Sequence, residues 1–177
     1  MNNKSSNSPL SRRDVLKLGS GAAASAAAVA GLAQPAPVQA QTSGPATYPT
    51  NALGRAAELK TGIPVLFNYP DGASPCVLLK TGSPAAGGIG PQQDIVAFSV
   101  LCTHRGCAVA YDATARTFKC PCHFSIFDPD KGGQQVCGQA TVNLPQIVLE
   151  YDATADRIVA VAVDGLIYGR ASNLLES

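Results

Sequence analysis

The chain has 177 residues, 46% of them hydrophobic and 14% charged, and its 13 Lys and Arg against 12 Asp and Glu leave a formal net charge of +1. Near-neutrality without a basic run excludes nucleic acid and anionic lipid as main partners and leaves proteins or small molecules. Six cysteines and only two histidines are its chemically distinctive residues.

Residues 1–40 read as an export signal. Ser11-Arg12-Arg13-Asp14-Val15-Leu16-Lys17 is followed by an Ala/Gly run from Leu18 to Ala33 and a small-residue exit, Val38-Gln39-Ala40. The paired arginines specify the Tat route, which carries folded proteins, so a periplasmic location is expected. Leu18, Val29 and Leu32 are the only larger apolar groups of the run, thin material for a spanning anchor. Membrane contact is therefore expected at most through this segment. Cleavage after Ala40 would leave residues 41–177, enough for one compact core. Lys4, Arg12, Arg13, Lys17 and Asp14 lie in the leader, so the remainder carries 9 basic and 11 acidic side chains.

Residues 41–60 begin as an aperiodic Pro, Ser, Thr and Gly stretch and read as an extended arm, with a short turn of helix allowed over Asn51–Leu59. Residues 61–177 form the main domain. Short runs rich in Val, Ile, Leu, Phe and Tyr predict strands over Ile63–Asn68, Cys76–Lys80, Ile95–Leu101, Ala108–Tyr111, Thr117–Lys119, Ile147–Tyr151, Arg157–Val163 and Leu166–Tyr168. Turn-rich stretches separate them, so the fold class is all-β. Tyr111-Asp112-Ala113-Thr114-Ala115 recurs as Tyr151-Asp152-Ala153-Thr154-Ala155, and each copy suits a hairpin in which Asp bonds its own backbone.

Both histidines and four cysteines fall within Cys102-Thr103-His104-Arg105-Gly106-Cys107 and Cys120-Pro121-Cys122-His123-Phe124-Ser125. Two Cys/His pairs offer four soft or borderline donors, enough to close a metal site. Zinc is one occupant of such a set, but zinc fingers usually group like ligands, whereas here each half-site mixes them. A 2Fe-2S cluster, with thiolates on one iron and imidazoles on the other, suits mixed pairs.

These segments resemble the Rieske iron-sulfur family, whose boxes are C-x-H-x-G-C and C-P-C-H-x-S. The resemblance implies an antiparallel β-sandwich with a small cluster-binding subdomain, about 100–145, inserted as two loops. It implies Cys102 and Cys120 on one iron, His104 and His123 on the other, and a Cys107–Cys122 disulfide tying the loops together. Ser125 stands where the family places a hydroxyl that donates to a cluster sulfur. Phe127 stands where respiratory members have a second such hydroxyl on Tyr, which implies a lower potential here, although Phe127 could instead pack in the core. Gly138 to Pro145 resembles the family's third loop. Cys76 and Cys137 have no place in the motif.

Across nearly the whole chain, CTHRGCAVAYD, KCPCHFSIFD, VCGQATVNLP and VDGLIYGRASN resemble the small Rieske subunit of bacterial arsenite oxidase. That likeness implies an electron relay without its own substrate site. Its partners would be a large molybdopterin subunit and, as electron acceptor, a soluble cytochrome c or cupredoxin. The alternatives are the Rieske subunit of a cytochrome bc complex, where Gly commonly takes the place of Phe124, and a structural zinc module.

Overall fold

The computed structural model describes residues 47–174, and the export signal and the first part of the arm lie outside them. The described strands are β1 (Asn51–Arg55), β2 (Val65–Asn68), β3 (Pro75–Lys80), β4 (Ile95–Ser99), β5 (Ala110–Asp112), β6 (Thr117–Lys119), β7 (Ile126–Asp128), β8 (Gln134–Cys137), β9 (Gln146–Asp152) and β10 (Arg157–Asp164). Two single 3-10 turns, Ala56–Glu58 and Pro129–Lys131, are the helical elements among the described residues. The architecture is all-β and antiparallel, as expected. No helix among these residues is long and apolar enough to cross a membrane.

Six strands form one sheet in the order β1-β10-β9-β4-β3-β2, and four form a meander, β5-β6-β7-β8. Strand β4 pairs directly with β9 through Ala97 with Ile147 and Phe98 with Gln146. The chain thus leaves the large sheet after Ser99, builds the small one, and returns at Gln146. The residues between β4 and β9 form an insertion in the large sheet.

All five residues of β4 are buried, which requires cover on both faces, since alternate side chains of a strand point to opposite sides. One face of β3 and β4 gives Cys76, Leu78, Ile95 and Ala97 to a core shared with Ile147, Leu149, Ile158 and Ala160. The other gives Val77, Leu79, Val96 and Phe98 to a second core with Val109, Phe118, Phe127, Ala140 and Leu144 from the insertion. Phe118 holds this second core together, edge-on to Phe98 at 5.8 Å and to Tyr111 at 5.4 Å between centroids. Cys102 and Cys120 belong to it, so both thiols are fixed by the same packing that joins the two sheets.

Three differences from the sequence reading have local causes. The arm does not stay extended as a free segment, because Asn51–Arg55 pairs with β10 as an edge strand. Strands β7 and β8 are too short for alternation to show in their sequences. Leu166–Tyr168 is not a strand: Asn173 satisfies its backbone instead, accepting from Ile167 N at 2.9 Å and donating to the Gly165 carbonyl at 2.7 Å. Ile167 is wholly buried beneath this tail. The repeated Tyr-Asp-Ala-Thr-Ala segments do form matching turns. Asp112 and Asp152 each accept from the two backbone N–H groups two and three residues on, and Arg116 and Asp156 close them at φ 53° and 52°.

Candidate functional site

The two boxes have the same backbone plan. In the first, the Cys102 N–H donates to the Cys107 carbonyl at 2.9 Å and the Gly106 N–H donates to the Cys102 carbonyl at 2.7 Å. In the second, the Cys120 N–H donates to the Ser125 carbonyl at 2.8 Å and the Phe124 N–H to the Cys120 carbonyl at 3.1 Å. The fifth residue of each takes the left-handed conformation, Gly106 at φ 71° and Phe124 at φ 58°. Glycine accepts this region freely, whereas a side chain there costs about 1 kcal/mol or more. Aligning the boxes on their first cysteines places Phe124 opposite Gly106, which is where the sequence marks this conformation.

The loops bring His104 close to His123, and Cys102 close to Cys120. Cys102 and Cys120 are 1% and 2% exposed, His104 is half-buried and His123 exposed. The imidazoles lie edge to face, 4.6 Å between centroids at 87°. A disulfide joins Cys107 to Cys122. The sulfurs of Cys107, Cys120 and Cys122 lie within 4.8 Å of one another, but the two in the disulfide have no thiolate to offer. Burial pushes the Cys102 thiol up, while N–H groups of His104 and Arg105 aimed at its sulfur act the other way.

His104 Nδ1 is buried and has no hydrogen-bond partner among the described residues. A buried polar nitrogen left unpaired is costly, and coordination to a metal removes that cost. With two buried thiols and a second imidazole alongside, the donor set fits a mixed sulfur and nitrogen metal centre.

The third loop braces both boxes. Ala140 N–H donates to Ser125 Oγ at 2.9 Å, and Thr103 Oγ1 donates to the Val142 carbonyl at 2.8 Å. Ser125 is wholly buried, with its own hydroxyl proton still available to donate. Phe127 is also wholly buried, in the core that contains both thiols, so a packing role stands beside the electrostatic one. A Cβ on Gly106 would lie 2.6 Å from the Tyr168 ring, so the tail places an aromatic against the first box, a contact the sequence did not signal. Cys76 and Cys137 are both free. Cys76 is buried in β3, its thiol pushed up to about 12 by burial, while Cys137 is exposed in β8.

Comparison with known proteins agrees with this geometry. Residues 51–148 match the family model for the Rieske [2Fe-2S] domain. The chain is 42% identical to iodate reductase subunit IdrB of Denitromonas iodatirespirans over 93% of its own length and 86% of that protein. It is 43% identical to the subunit of the same name from Pseudomonas sp. (strain SCT), over 70% and 65% of the two chains. Among solved structures it resembles the soluble domain of the Rieske protein II (soxF) from Sulfolobus acidocaldarius, with TM-score 0.62 and 26% identity over 73% of this chain and 85% of that one. Paired loops that bury two cysteines beneath two histidines, an inserted four-stranded sheet and these likenesses converge: the chain belongs to the Rieske [2Fe-2S] domain family, and its cofactor is a Rieske-type 2Fe-2S cluster.

Proposed function

We propose that the chain is the electron-transferring small subunit of an exported oxidoreductase whose substrate site lies on a large molybdopterin partner. The observation that carries this reading is the asymmetry of the site, with thiols sealed in the core and His123 exposed beside half-buried His104. Cys102 and Cys120, buried in the core, would hold one iron, and His104 and His123 would hold the other. When bound, the cluster supplies a one-electron couple at a potential above that of all-cysteine ferredoxins. The chain's own residues fix its orientation, keep water from the sulfur side and leave the imidazole edge open to a redox partner. His104→Ala or His123→Ala should each lose the visible Rieske absorption, because the chain has only these two histidines.

Two substrates are in play, and they run electrons in opposite directions. The segments that resemble arsenite oxidase favour electrons flowing from the large subunit through this chain to a soluble cytochrome c or cupredoxin. The relatives named as iodate reductase subunits favour flow from a carrier through this chain to the large subunit. Both readings share the two-subunit plan and the Tat-exported, periplasmic location. The match to an iodate reductase subunit over 93% of this chain makes iodate the first substrate to test.

The test is purification of the complex from its native periplasm, followed by visible spectroscopy. Iodate restoring the oxidised spectrum of a pre-reduced complex identifies a reductase, and arsenite bleaching the oxidised complex identifies an oxidase. Co-purification of a cytochrome b, or of no large subunit, would overturn the proposal.

A further inference from the structure

The structure singles out Phe124. The residue is 77% exposed, yet its backbone is held at φ 58°, where the equivalent position of the first box is Gly106. Nothing among the described residues offsets this strain by burying the side chain. The conformation is imposed by the packing beneath it, since a Cβ on Gly138 would lie 2.7 Å from the Phe124 carbonyl and 2.6 Å from Ser125 N. A glycine at 124 would satisfy that backbone without strain. The aromatic is therefore a cost to the isolated chain that its fold does not explain.

The surroundings say what would cover it. Val142, Leu166 and Tyr168 are also exposed, at 58%, 53% and 39%. Val142 is joined to the first box through Thr103, and Tyr168 lies against Gly106 of the same box. The two boxes, residues 138–145 and residues 165–169 together carry one charged side chain, Arg105, among 25 residues, against 14% for the whole chain; at their edge Asp164 lies beside Val142 and Leu166, and Arg170 is paired with Asp71. Soluble electron carriers meet their partners briefly and depend on charge for steering. Permanent interfaces are apolar at their centre, poor in charge and anchored by aromatics.

We propose that Phe124 anchors the permanent interface with the large catalytic subunit, within a charge-poor apolar face that includes Val142, Leu166 and Tyr168, and that this face is not the docking site of the soluble carrier. The inference rests on the two-subunit reading above. It adds which partner meets the cluster end and through which residue. Arg105, an exposed charge within the first box, calls for one carboxylate or carbonyl opposite it.

The experiment produces the full chain with its large subunit and compares wild type with Phe124→Gly and Phe124→Ala. The readouts are retention of the large subunit at low and high salt, the thermal midpoint of the full small chain alone, and its Rieske absorption. The wild-type complex should withstand salt high enough to screen surface charge, about 1 M. Phe124→Gly should weaken association by about tenfold or more while keeping or raising the thermal midpoint of the chain alone, with the absorption intact. Phe124→Ala should weaken association without that gain. Opposite directions in the two readouts distinguish an anchor from a residue that merely supports the loop. Association unchanged in both variants, dissociation of the wild type by salt, or a parallel fall of association and midpoint in Phe124→Gly would each overturn the inference. A wild-type chain that brings no large subunit would instead overturn the two-subunit reading, and this inference with it.

Discussion

A hydroxyl offers one proton and two acceptor positions, and in Ser125 one acceptor position is filled by the Ala140 N–H at 2.9 Å. The oxygen is thereby oriented while the proton remains free to be given to a cluster sulfur. Such a bond is stronger in the more negative, reduced state, so it favours reduction. Ser125→Ala should therefore lower the midpoint potential with the cluster retained. A differential of about 1.4 kcal/mol corresponds to roughly 59 mV for one electron, so the shift should be tens of millivolts. A redox titration followed by visible or spin-resonance spectroscopy would measure it, and an unchanged midpoint would mean that the hydroxyl only supports Ala140. Phe127 lacks the second hydroxyl and is wholly buried. Adding one there changes packing as well as charge, so Phe127→Tyr should be read by potential and thermal midpoint together. These residues were legible in the sequence because coordination chemistry dictates residue type at fixed spacing. Their neighbours were not, since Ala140 reaches Ser125 through a backbone group that carries no side-chain signature.

At the scale of elements, the two boxes are loops of one design closed by different neighbours. The left-handed position of the first is covered by a side chain, the Tyr168 ring. The second is backed by the chain itself, where Gly138 meets backbone atoms of Phe124 and Ser125. A ring can swing aside, but a backbone held by its own hydrogen bonds cannot. Gly106→Ala and Gly138→Ala both place a side chain at positive φ, at 71° and 96°, so each should destabilise by about 1–2 kcal/mol from conformation alone. Gly138→Ala should cost clearly more, and it should also diminish the Rieske absorption, because the displaced atoms lie beside His123. Denaturant midpoints and cluster content of the two variants provide the check, and equal costs would refute the distinction. The longer strands were readable because β9 and β10, at seven and eight residues, give alternation room to show. Strand β7, at three residues, is only Ile-Phe-Asp. It exists because the insertion pairs it with β6 and β8, a fact of tertiary packing that short-range pattern does not record.

Across the whole molecule, the described ends of the chain converge on the turn between β2 and β3. Tyr69 stacks on Tyr48 and its hydroxyl donates to the Pro49 carbonyl at 2.9 Å, while Asn173 reaches the Tyr48 hydroxyl at 3.1 Å. Arg170 grips Asp71 with both terminal nitrogens, at 2.6 and 3.0 Å, across 99 residues of sequence. This lock holds the tail whose Tyr168 lies against the first box, so distant parts of the chain support the metal site. Composition could not show it, because Asp71 and Arg170 look like ordinary turn and tail residues until the fold places them together. The Arg170 guanidinium, aided by the Ala73 N–H and Ser74 hydroxyl, holds the Asp71 carboxyl down at about 2 from 3.8. The folded value lies below the unfolded one, so the stabilisation is fully present above pH 4 and is lost as pH falls from about 4 towards 2. The Asp71 side chain is 29% exposed, and solvent screening reduces the contribution to about 1 kcal/mol. Asp71→Asn should therefore lower the thermal midpoint at pH 7, with the gap from wild type narrowing steadily below pH 4. A gap that stayed constant through that range would show that the lock works through the shape of the turn, with the charge pair contributing little.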